Sequence, residues 1–395
     1  MKNLSATLKR QRNKIILSLI FAIVISFSCY LLNNCPYPYW DRLDKYCWLE
    51  YIIRAISPSK VDTDDAFFVN VSYDKQIADY TFDNGNSKGK IAVTDRAKLI
   101  RFLQIAEKSD YKYLFLDIRF EEGVYTPLDS VLAAQIKKMD NISYSEHSDL
   151  VSDDTFDKEK AAINDYYTTI TTTNFTRYQF LQNGRESAAL RMYLASDSAA
   201  KPIVKHGLFF KSDGHLCQNS PFMMVTESFS KVHEGIGKKN YYHLGPDLFD
   251  PEEQISDEDI IDAINNKIII VGDFVSDLHD TYCGMQPGSY LVYLAYKELK
   301  NGKQFVPWGF IVFMAIVYFI IGLMMLNQKN LWDYFPFVRR SRSKLYLFLL
   351  NMLGYTTVLS LVTIIMYLFC KVTYNIILPS FFFSSLSLFL SYKKS

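Results

Sequence analysis

Four aspartates lie at or just beyond the ends of apolar runs, and they are the side chains best suited to binding a ligand: Asp74, Asp117, Asp273 and Asp277. In α/β proteins, ligands bind outside the carboxyl ends of the strands, where these carboxylates are expected. Arg119, two residues after Asp117, could neutralise that carboxylate or bind an anionic ligand. Each aspartate could instead accept hydrogen bonds from backbone N–H groups at a cap or turn. We favour this structural interpretation for Asp74, Asp273 and Asp277, and less strongly for Asp117.

Catalytic chemistry has less support in the sequence. Asp117, Asp213 and His215 could be combined into an acid–base site, but a single histidine in a hairpin is usually structural or solvated. We predict neither a serine-hydrolase nucleophile elbow nor a GxxxxGK[ST] phosphate loop. The six cysteines include no CxxC pair and no Cys/His group with zinc spacing, so neither a metal nor a cofactor is expected. We therefore do not expect an enzyme.

The elements that would position the aspartates predict an α/β domain with a mixed, partly parallel sheet. Apolar runs at 65–71, 111–120 and 268–272 predict buried strands, and the last of these, IIIVG, is the most strongly buried. Apolar spacing predicts a helix at 94–107, with Thr94 or Asp95 as its cap. This strand–helix–strand order favours a parallel pair.

The remainder of the domain adds helices, a hairpin and a loop. The helices are predicted at 187–195, 257–264 and 289–301. The stretch 207–217 predicts a hairpin with its turn at Asp213 and Gly214. The stretch from Asn141 to Phe156 is polar and acidic, which predicts a long surface loop.

Apolar runs without charged residues predict four transmembrane helices, at 15–32, 305–326, 345–370 and 374–392. Lysine and arginine are concentrated in the N-terminal segment 1–14, in the loop 327–344 and at the C-terminal end, which predicts that these regions are cytoplasmic. The segment 33–304 would then lie outside the cytoplasm. The alternative for the first run is a cleaved signal peptide or a lipoprotein cut before Cys29.

The composition of the spans also bears on function. Transporters and pumps usually need ionisable groups inside the membrane, so the uncharged spans argue against both classes. Gly322, Asn351 and Gly354 could mediate contacts between helices. The net charge of +1 suggests no nucleic-acid partner.

The sequence also leaves open whether a disulfide forms after the first predicted span. Cys35 and Cys47 flank a short aromatic-rich stretch directly after the first span. A bridge between them would close a small loop and stiffen the connection between span and domain. The alternative is two separate thiols.

Four stretches of the domain form an ordered series of motifs. FFVNVSYD ends at Asp74, LFLDIRF contains Asp117 and Phe120, and KSDGHL contains Asp213 and Gly214. The last stretch runs from NKIIIVG to KELKNG, and its motif positions are Gly272, Asp277, Thr281, Pro287 and Gly288. In this order the series resembles the CHASE2 family, which comprises extracytoplasmic sensory domains of bacterial membrane receptors.

The resemblance covers about residues 40–304 and extends to the membrane layout, because a CHASE2 domain typically lies between one helix and about three later ones. The family's Trp-Pro-Trp segment is absent and is replaced by DNGNSKGKIAV. CHASE2 receptors usually continue into a kinase or cyclase output domain, and the sequence contains none. The resemblance therefore implies an input domain whose output is encoded separately.

Together these features predict a multi-pass sensory protein of the bacterial inner membrane, with a periplasmic domain that binds an external cue and acts through a separate protein partner. The alternative is a structural or scaffolding subunit that uses the domain as a protein-binding platform. The expected partners are the lipid bilayer and an unidentified membrane or cytoplasmic protein, with a homo-oligomer also open. Contact with the partner is predicted at Trp332, Phe335 and Phe337, which could equally form an interfacial anchor.

The predicted topology can be tested with reporter fusions at Ser152 and Ser343. We expect opposite compartments for the two sites, because the basic segments resist translocation and keep 327–344 inside. Paired alkaline-phosphatase and fluorescent-protein fusions measure the location. Finding both sites in one compartment would exclude the four-span arrangement.

Overall fold

The computed structural model of the chain describes residues 2–34, 52, 55, 61–82, 86–147, 153–165, 175, 177–223, 225–236, 240–250, 255–281, 283–327, 329, 344–373 and 375–392. Its helices are α1 (Lys2–Asn33), α2 (Arg96–Ala106), α3 (Asp129–Lys138), α4 (Ala188–Ser196), α5 (Phe229–Ile236), α6 (Asp257–Ile264), α7 (Gly288–Lys300), α8 (Trp308–Leu326), α9 (Lys344–Cys370) and α10 (Ile377–Tyr392). Its strands are β1 (Ala66–Asn70), β2 (Lys75–Thr81), β3 (Ser87–Thr94), β4 (Tyr113–Leu116), β5 (Val124–Tyr125), β6 (Ile142–Glu146), β7 (Ala161–Ile163), β8 (Leu181–Gln182), β9 (Arg185–Glu186), β10 (Val204–His206), β11 (Phe209–Ser212), β12 (His215–Cys217), β13 (Tyr241–His243), β14 (Ile268–Gly272), β15 (Leu278–Thr281) and β16 (Gly284–Pro287). The predicted pair Cys35 and Cys47 and the predicted contact residues Trp332, Phe335 and Phe337 lie outside the described residues.

The centre of the α/β domain is a six-stranded sheet with the order β13-β1-β14-β4-β6-β7, in which every pairing is parallel. β14 is the IIIVG strand, and it lies between β1 and β4, with Ile270 opposite Phe68 and Phe115. All five residues of β14 are buried, as a parallel sheet covered on both faces requires. The predicted interior position of IIIVG is confirmed.

The order of the strands differs from the prediction in one respect. β1 and β4 are parallel but are not neighbours, because β14 lies between them. We expected a single sheet with both parallel and antiparallel pairs. The main sheet is instead entirely parallel, and the antiparallel pairs occur in smaller sheets: β10-β11-β12, β15-β16, β3-β2-β5 and β8-β9. The local pattern shows that β1 and β4 run parallel but not that a strand from much later in the chain separates them.

Alternation along the strands produces two cores. Side chains such as Phe68 and Ile270 face a core that includes residues of α4, α5 and α7. Their neighbours Phe67 and Ile269 face the opposite core, to which α2, α3 and α6 contribute. The result is a three-layer α/β arrangement. Predicted caps are also present, since Asp95 accepts a hydrogen bond from the N–H of Lys98 at the start of α2.

The surface loop predicted from Asn141 to Phe156 is wrong at its beginning. Residues Ile142–Glu146 form β6, an interior strand of the sheet. Ile142 and Tyr144 face the core that contains α2 and α3, while Ser143 and Ser145 are buried on the other side of the strand. The serines on one face give this strand the polar composition typical of a loop, although both of its faces are buried.

The predicted hairpin is confirmed between β11 and β12, with Ser212 opposite His215. Its two turn residues, Asp213 and Gly214, have φ values of 50° and 76°. Two consecutive residues with positive φ are what the type I′ hairpin turn requires, and the Asp-Gly pair is among its preferred sequences. β10 pairs on the other side of β11 and completes the three-stranded sheet.

In the described part of the chain, three helices are long and apolar enough to cross a membrane: Leu8–Asn33 of α1, Trp308–Leu326 and Leu345–Cys370. α1 is helical from Lys2, well before the predicted start at residue 15. α10, on the predicted fourth span, is shorter, with 16 residues. At about 1.5 Å per residue this length falls short of the roughly 30 Å hydrocarbon core.

These helices pack as α1 against α8 and α9 against α10, with a shared apolar core. Gly322 of α8 faces Ser18 of α1, where a Cβ would lie 3.5 Å from the serine Oγ. Asn351 of α9 donates a hydrogen bond of 3.1 Å to Ser387 of α10. Gly322 and Asn351 therefore mediate helix contacts, as predicted, and these contacts lie within the chain's own bundle.

The interior position of β14 can be tested with Ile269→Asp. Ile269 is fully buried, and an unpaired buried carboxylate costs several kcal/mol, comparable with a total stability of about 5–15 kcal/mol. We expect the domain not to fold, as measured by protease resistance and thermal unfolding of the purified chain. The matched control is Ile77→Asp, because Ile77 lies on β2 with 68% of its surface exposed. A chain that folds normally with Ile269→Asp would refute the placement.

Candidate functional site

A cleft of about 300 Å³ opens at the carboxyl edge of the main sheet. It is lined by apolar residues of β1, β3, β4 and β5 or of the segments that follow them, and by six residues with ionisable side chains: Lys75, Arg96, Asp117, Arg119, Glu121 and Asp273. This volume is at the lower end of the range typical of small-molecule sites, about 300–1,000 Å³.

The topology explains why the edge opens here. The chain leaves β1 and β4 toward α2 and α3, which pack on one face of the sheet. It leaves β14, the strand between them, toward α7 on the opposite face. Connections that diverge from neighbouring parallel strands leave a crevice outside their carboxyl ends, which is the usual position for ligands in such sheets.

Three of the five predicted site residues line this cleft: Asp117, Arg119 and Asp273. Asp74 does not, because its buried carboxylate accepts hydrogen bonds from Lys98 Nζ at 2.6 Å and from the N–H of Gly245 at 2.8 Å. It therefore joins the end of β1, helix α2 and the segment after β13. The structural interpretation is the one that fits Asp74.

Asp273 is held almost entirely by protein donors. Its Oδ1 accepts hydrogen bonds from Ser72 Oγ at 2.5 Å and from the N–H groups of Val275 and Ser276, and its Oδ2 lies 3.2 Å from Lys75 Nζ. Burial on its own raises the pKa of Asp273, but the hydrogen bonds from Ser72 and the backbone outweigh burial and lower it. Asp273 is therefore a stable anion that fixes the loop after β14.

Asp117 is different, because its environment opposes its charge. Its carboxylate accepts hydrogen bonds from Ser289 Oγ at 2.8 Å and from Asn164 Nδ2 at 3.2 Å. Burial raises the pKa of Asp117, and the nearby charge of Asp277 raises it further, against the lowering effect of Ser289. A buried carboxyl group with a raised pKa in the lining of a cleft is one of the features that mark functional sites.

Asp277 lies beside this group but outside the cleft. Its exposed carboxylate is 3.2 Å from His279 Nε2, and its carbonyl oxygen accepts a hydrogen bond from the N–H of Gly288, the first residue of α7. A second histidine, His147, lies 3.0 Å from Asp165. Among the described residues, no group of three or more His, Cys, Asp or Glu side chains is arranged to hold a metal ion.

Arg119 is exposed in the wall of the cleft. In the part of the chain that the structure describes, no carboxylate lies within ion-pair distance of its guanidinium and no residue accepts a hydrogen bond from it. The expectation that Arg119 neutralises Asp117 is therefore not met. Its second predicted role, binding of an anionic ligand, remains a prediction.

The sequence analysis missed other residues of the cleft, of which Arg96 is the most informative. Arg96 is fully buried in the first turn of α2, where its Nε donates to Asp129 at 2.9 Å and its guanidinium stacks over Phe120. Burial lowers the pKa of Arg96, while the charge of Asp129 acts in the opposite direction. A positive charge in the first turn of a helix interacts unfavourably with the helix dipole. This unfavourable position is the sequence feature from which a special role for Arg96 could have been predicted.

The other chemical candidates do not form a site. Asp213 and His215 belong to the β11–β12 hairpin, where the ring of His215 packs against Phe305, whereas Asp117 ends β4 in another sheet. The segment 85–89 does contain the letters of a Gly-x-Ser-x-Gly elbow, contrary to our expectation. Its serine, Ser87, begins the exposed strand β3 of a hairpin, whereas a nucleophile elbow needs a strand-to-helix turn.

The described cysteines, Cys29, Cys217, Cys283 and Cys370, carry thiols and form no disulfide among themselves. Cys217 lies at a junction between the domain and the membrane helices. There the hydroxyl of Tyr30, near the end of α1, donates to the carbonyl of Cys217 and accepts from the N–H of Phe210, both at 2.9 Å. α1 is thereby joined to β11 and β12.

The second long apolar helix, α8, is connected to the same sheet. The segment 301–307 connects α7 with α8 and runs beside β12. Gln304 accepts a hydrogen bond of 2.7 Å from the N–H of Gln218, and Val306 donates one of 2.9 Å to Leu216. The β10–β12 sheet therefore holds both α1 and the approach to α8.

Comparison of the chain with protein-family models, with curated proteins and with solved structures found no match. A functional assignment therefore depends on the geometry of two regions. One is the cleft with Asp117 at its edge, and the other is the junction through which the domain meets α1 and α8.

The opposite pKa shifts of Asp117 and Asp273 can be tested with Asp117→Asn and Asp273→Asn. The unfolded-state pKa of each is near 3.8, and folding raises that of Asp117 and lowers that of Asp273. The wild-type chain should therefore lose stability relative to Asp117→Asn as pH rises through the raised pKa. The stabilisation by ionised Asp273 is complete above about pH 4 and is lost as pH falls, so Asp273→Asn should be less stable than wild type at neutral pH.

The measurement is the melting temperature of the purified full chain from about pH 4 to pH 8. Each variant serves as the control for the other, because both remove one carboxylate from the same edge. A stability difference between wild type and variant that changes with pH in the same direction for both variants would contradict the assignment.

Proposed function

We propose that this chain is a membrane-anchored sensory protein whose α/β domain binds an extracytoplasmic cue in the cleft and transmits binding through its membrane helices to a separate protein. The proposal includes the CHASE2 resemblance, a bacterial inner-membrane location with the domain in the periplasm, and four spans. It is supported by one observation above all: α7 runs from the edge of the cleft to the membrane helices.

α7 is fixed at its first turn. Ser289 donates its hydroxyl hydrogen to Asp117, at the carboxyl end of β4, and the N–H of Gly288 donates to Asp277. A ligand in the cleft would lie against Asp117 and Asp273, the residues that border the ends of β4 and β14. Any change there that alters the Asp117–Ser289 contact reaches the start of α7 directly.

The opposite end of α7 is fixed to the start of β1. Asp65 accepts hydrogen bonds of 2.7 Å from both Tyr293 and Lys300, and Lys297 lies 3.3 Å away. Burial opposes the charge of Asp65, but the hydrogen bonds from Lys300 and Tyr293 outweigh it and lower the pKa of Asp65 to about 2. α7 is therefore positioned as a rigid body that leads through 301–307 into α8.

Binding can alter the signalling state only if the connection from α7 to α8 has two arrangements and the cue binds one of them more tightly. The two arrangements would differ in how the β10–β12 sheet holds α1 and α8. Small residues and polar contacts inside the bundle, such as Gly322 against Ser18, make the helices one packed unit. A displacement at the junction is thus passed to the whole bundle.

The proposed orientation agrees with contacts at the ends of the helices. Lys14 donates to Asn327 at 2.7 Å, which places the start of the first apolar run beside the end of α8. At the other end, Asn33 donates to the carbonyl of Thr373 at 2.7 Å, which places the α9–α10 turn beside the end of α1. In this arrangement α10 returns the chain to the cytoplasmic side, with local thinning of the bilayer compensating for its length.

The scaffold is the second candidate, and the β2–β3 hairpin favours it. β3 is an edge strand with six of its eight residues exposed, and Ile77 of β2 exposes 68% of its surface. Exposed strand edges and apolar side chains are typical sites for addition of another protein's strand. In this alternative the partner contacts the domain rather than the helices or the loop 327–344.

The two candidates can be separated by capturing partners from gently solubilised membranes. The first variant replaces Trp332, Phe335 and Phe337 with serine, and the matched variant replaces Tyr73, Phe82 and Tyr125, three aromatic residues of the domain that are at least half exposed. A sensory protein should lose its partner in the first variant and keep it in the second, as measured by quantitative mass spectrometry.

The reverse result would establish the scaffold. Normal thermal unfolding of both variants is the control for folding. If the unmodified chain captures no partner after cross-linking in intact membranes, the proposed function is refuted.

A further inference from the structure

We propose that the ligand of the cleft is a small organic anion, with a carboxylate or phosphate group bound by Arg119, Lys75 and Arg96 and a short hydrocarbon part against the apolar wall. This inference rests on the proposed sensory function and specifies the chemistry of its cue. It follows from counting hydrogen-bond donors and acceptors among the residues that line the cleft.

Two carboxylates of the cleft, Asp273 and Glu121, accept hydrogen bonds from the protein. Asp273 Oδ1 accepts three hydrogen bonds, from Ser72, Val275 and Ser276. Glu121 accepts one of 2.9 Å from the hydroxyl of Tyr80. Asp273 is therefore fully bonded within the protein, and Glu121 keeps one bonded oxygen at the edge of the cleft.

The carboxylate of Asp117 is directed toward α7. It is bonded by Ser289 and Asn164, and a Cβ on Gly272, on the α7 face of the sheet, would lie 3.2 Å from the Asp117 Cβ. The third carboxyl group at the edge therefore offers little to a cation.

The donors, in contrast, are in excess. A guanidinium has five N–H donors, and none of those of Arg119 is accepted within the described part of the chain. Lys75 forms an ion pair of 3.2 Å with Asp273 Oδ2, which uses one of the three N–H donors of its ammonium group. Arg96 uses its Nε for Asp129 and makes one long contact of 3.4 Å with the carbonyl of Thr94, which leaves further N–H groups.

An anion completes this arrangement, because guanidinium and ammonium groups bind carboxylate and phosphate oxygens with strong, charge-assisted hydrogen bonds. The rest of the lining is apolar, with Val71, Ile91, Val93, Ile118 and Val124 as its main side chains. A volume of about 300 Å³ holds roughly ten water-sized groups. The ligand is therefore a short-chain organic acid or a small alkyl phosphate, with an expected Kd of about 10 µM to 1 mM for so few atoms.

The test uses the purified full chain in lipid nanodiscs and four probes with the same branched five-carbon skeleton: isovalerate, isopentyl phosphate, isovaleramide and isopentylamine. Isothermal titration and saturation-transfer NMR measure binding. We expect at least one anionic probe to bind about tenfold or more tightly than the neutral amide and the amine. The stronger of the two anions distinguishes a carboxylate ligand from a phosphate ligand.

Variants locate the binding site. Arg119→Gln should weaken the anion about tenfold or more and leave the amide unchanged, and Arg119→Lys should be intermediate because it keeps the charge but loses the fork. The matched control is Arg101→Gln, an exposed arginine of α2 outside the cleft, which should have no effect. Val93→Trp should fill the cleft and abolish binding of every probe.

Each other outcome has a defined meaning. If the amine or the amide binds at least as tightly as the anions and Val93→Trp abolishes that binding, the anion is refuted while the cleft remains a ligand site. Anion binding that persists in both Arg119→Gln and Val93→Trp places the anion elsewhere and refutes the inference. Absence of binding by all probes to a correctly folded chain also refutes it, whereas the proposed function is decided separately by partner capture.

Discussion

The absence of a side chain at Gly272 is the constraint on which the rest of the arrangement depends. Gly272 ends the central strand β14, and a Cβ at this position would collide with the hydroxyl of Ser289. Only glycine lets the first turn of α7 approach the sheet closely enough for Ser289 to bond Asp117. Without this contact the carboxyl group would lose one of its hydrogen-bond donors while remaining largely removed from water, which is costly. The path from the cleft to α8 begins at this close approach.

Much of the fold was predictable because its signals are local. IIIVG is buried on both faces, the Asp-Gly turn has its expected geometry, and Asp95 and Ser187 cap α2 and α4. The strand order was not predictable, because β14 enters between β1 and β4 from a distant part of the chain. β6 was missed because its buried Ser143 and Ser145 gave an apolar strand a polar composition.

The candidate site was predictable only in part, because some of its contacts come from distant parts of the chain. The position of a residue after a strand identified Asp117, Arg119 and Asp273 as neighbours, since the carboxyl ends of parallel strands share one edge. The sequence position did not show which carboxylate oxygens already accept hydrogen bonds from the protein. Those hydrogen bonds decide whether a carboxylate can bind a ligand or has a structural role. Asp74 and Asp273 have similar sequence settings to Asp117, yet their donors come from α2, from the segment after β13 and from local backbone. Such partners become visible only when the chain is folded.

The hydroxyl of Tyr30 has a consequence for where the domain ends. It satisfies one N–H of β11 and one C=O of β12, and the ring of Phe209 packs against both Tyr30 and Phe27 of α1. The α/β domain is therefore bonded to part of α1, a helix long and apolar enough to cross a membrane, and the end of that helix does not mark the border of the domain. A fragment cut between α1 and β1 would expose an apolar surface and two unpaired backbone groups at the β10–β12 sheet. The apolar helices are in this sense continuous with the domain, since Leu216 of β12 packs against their shared core.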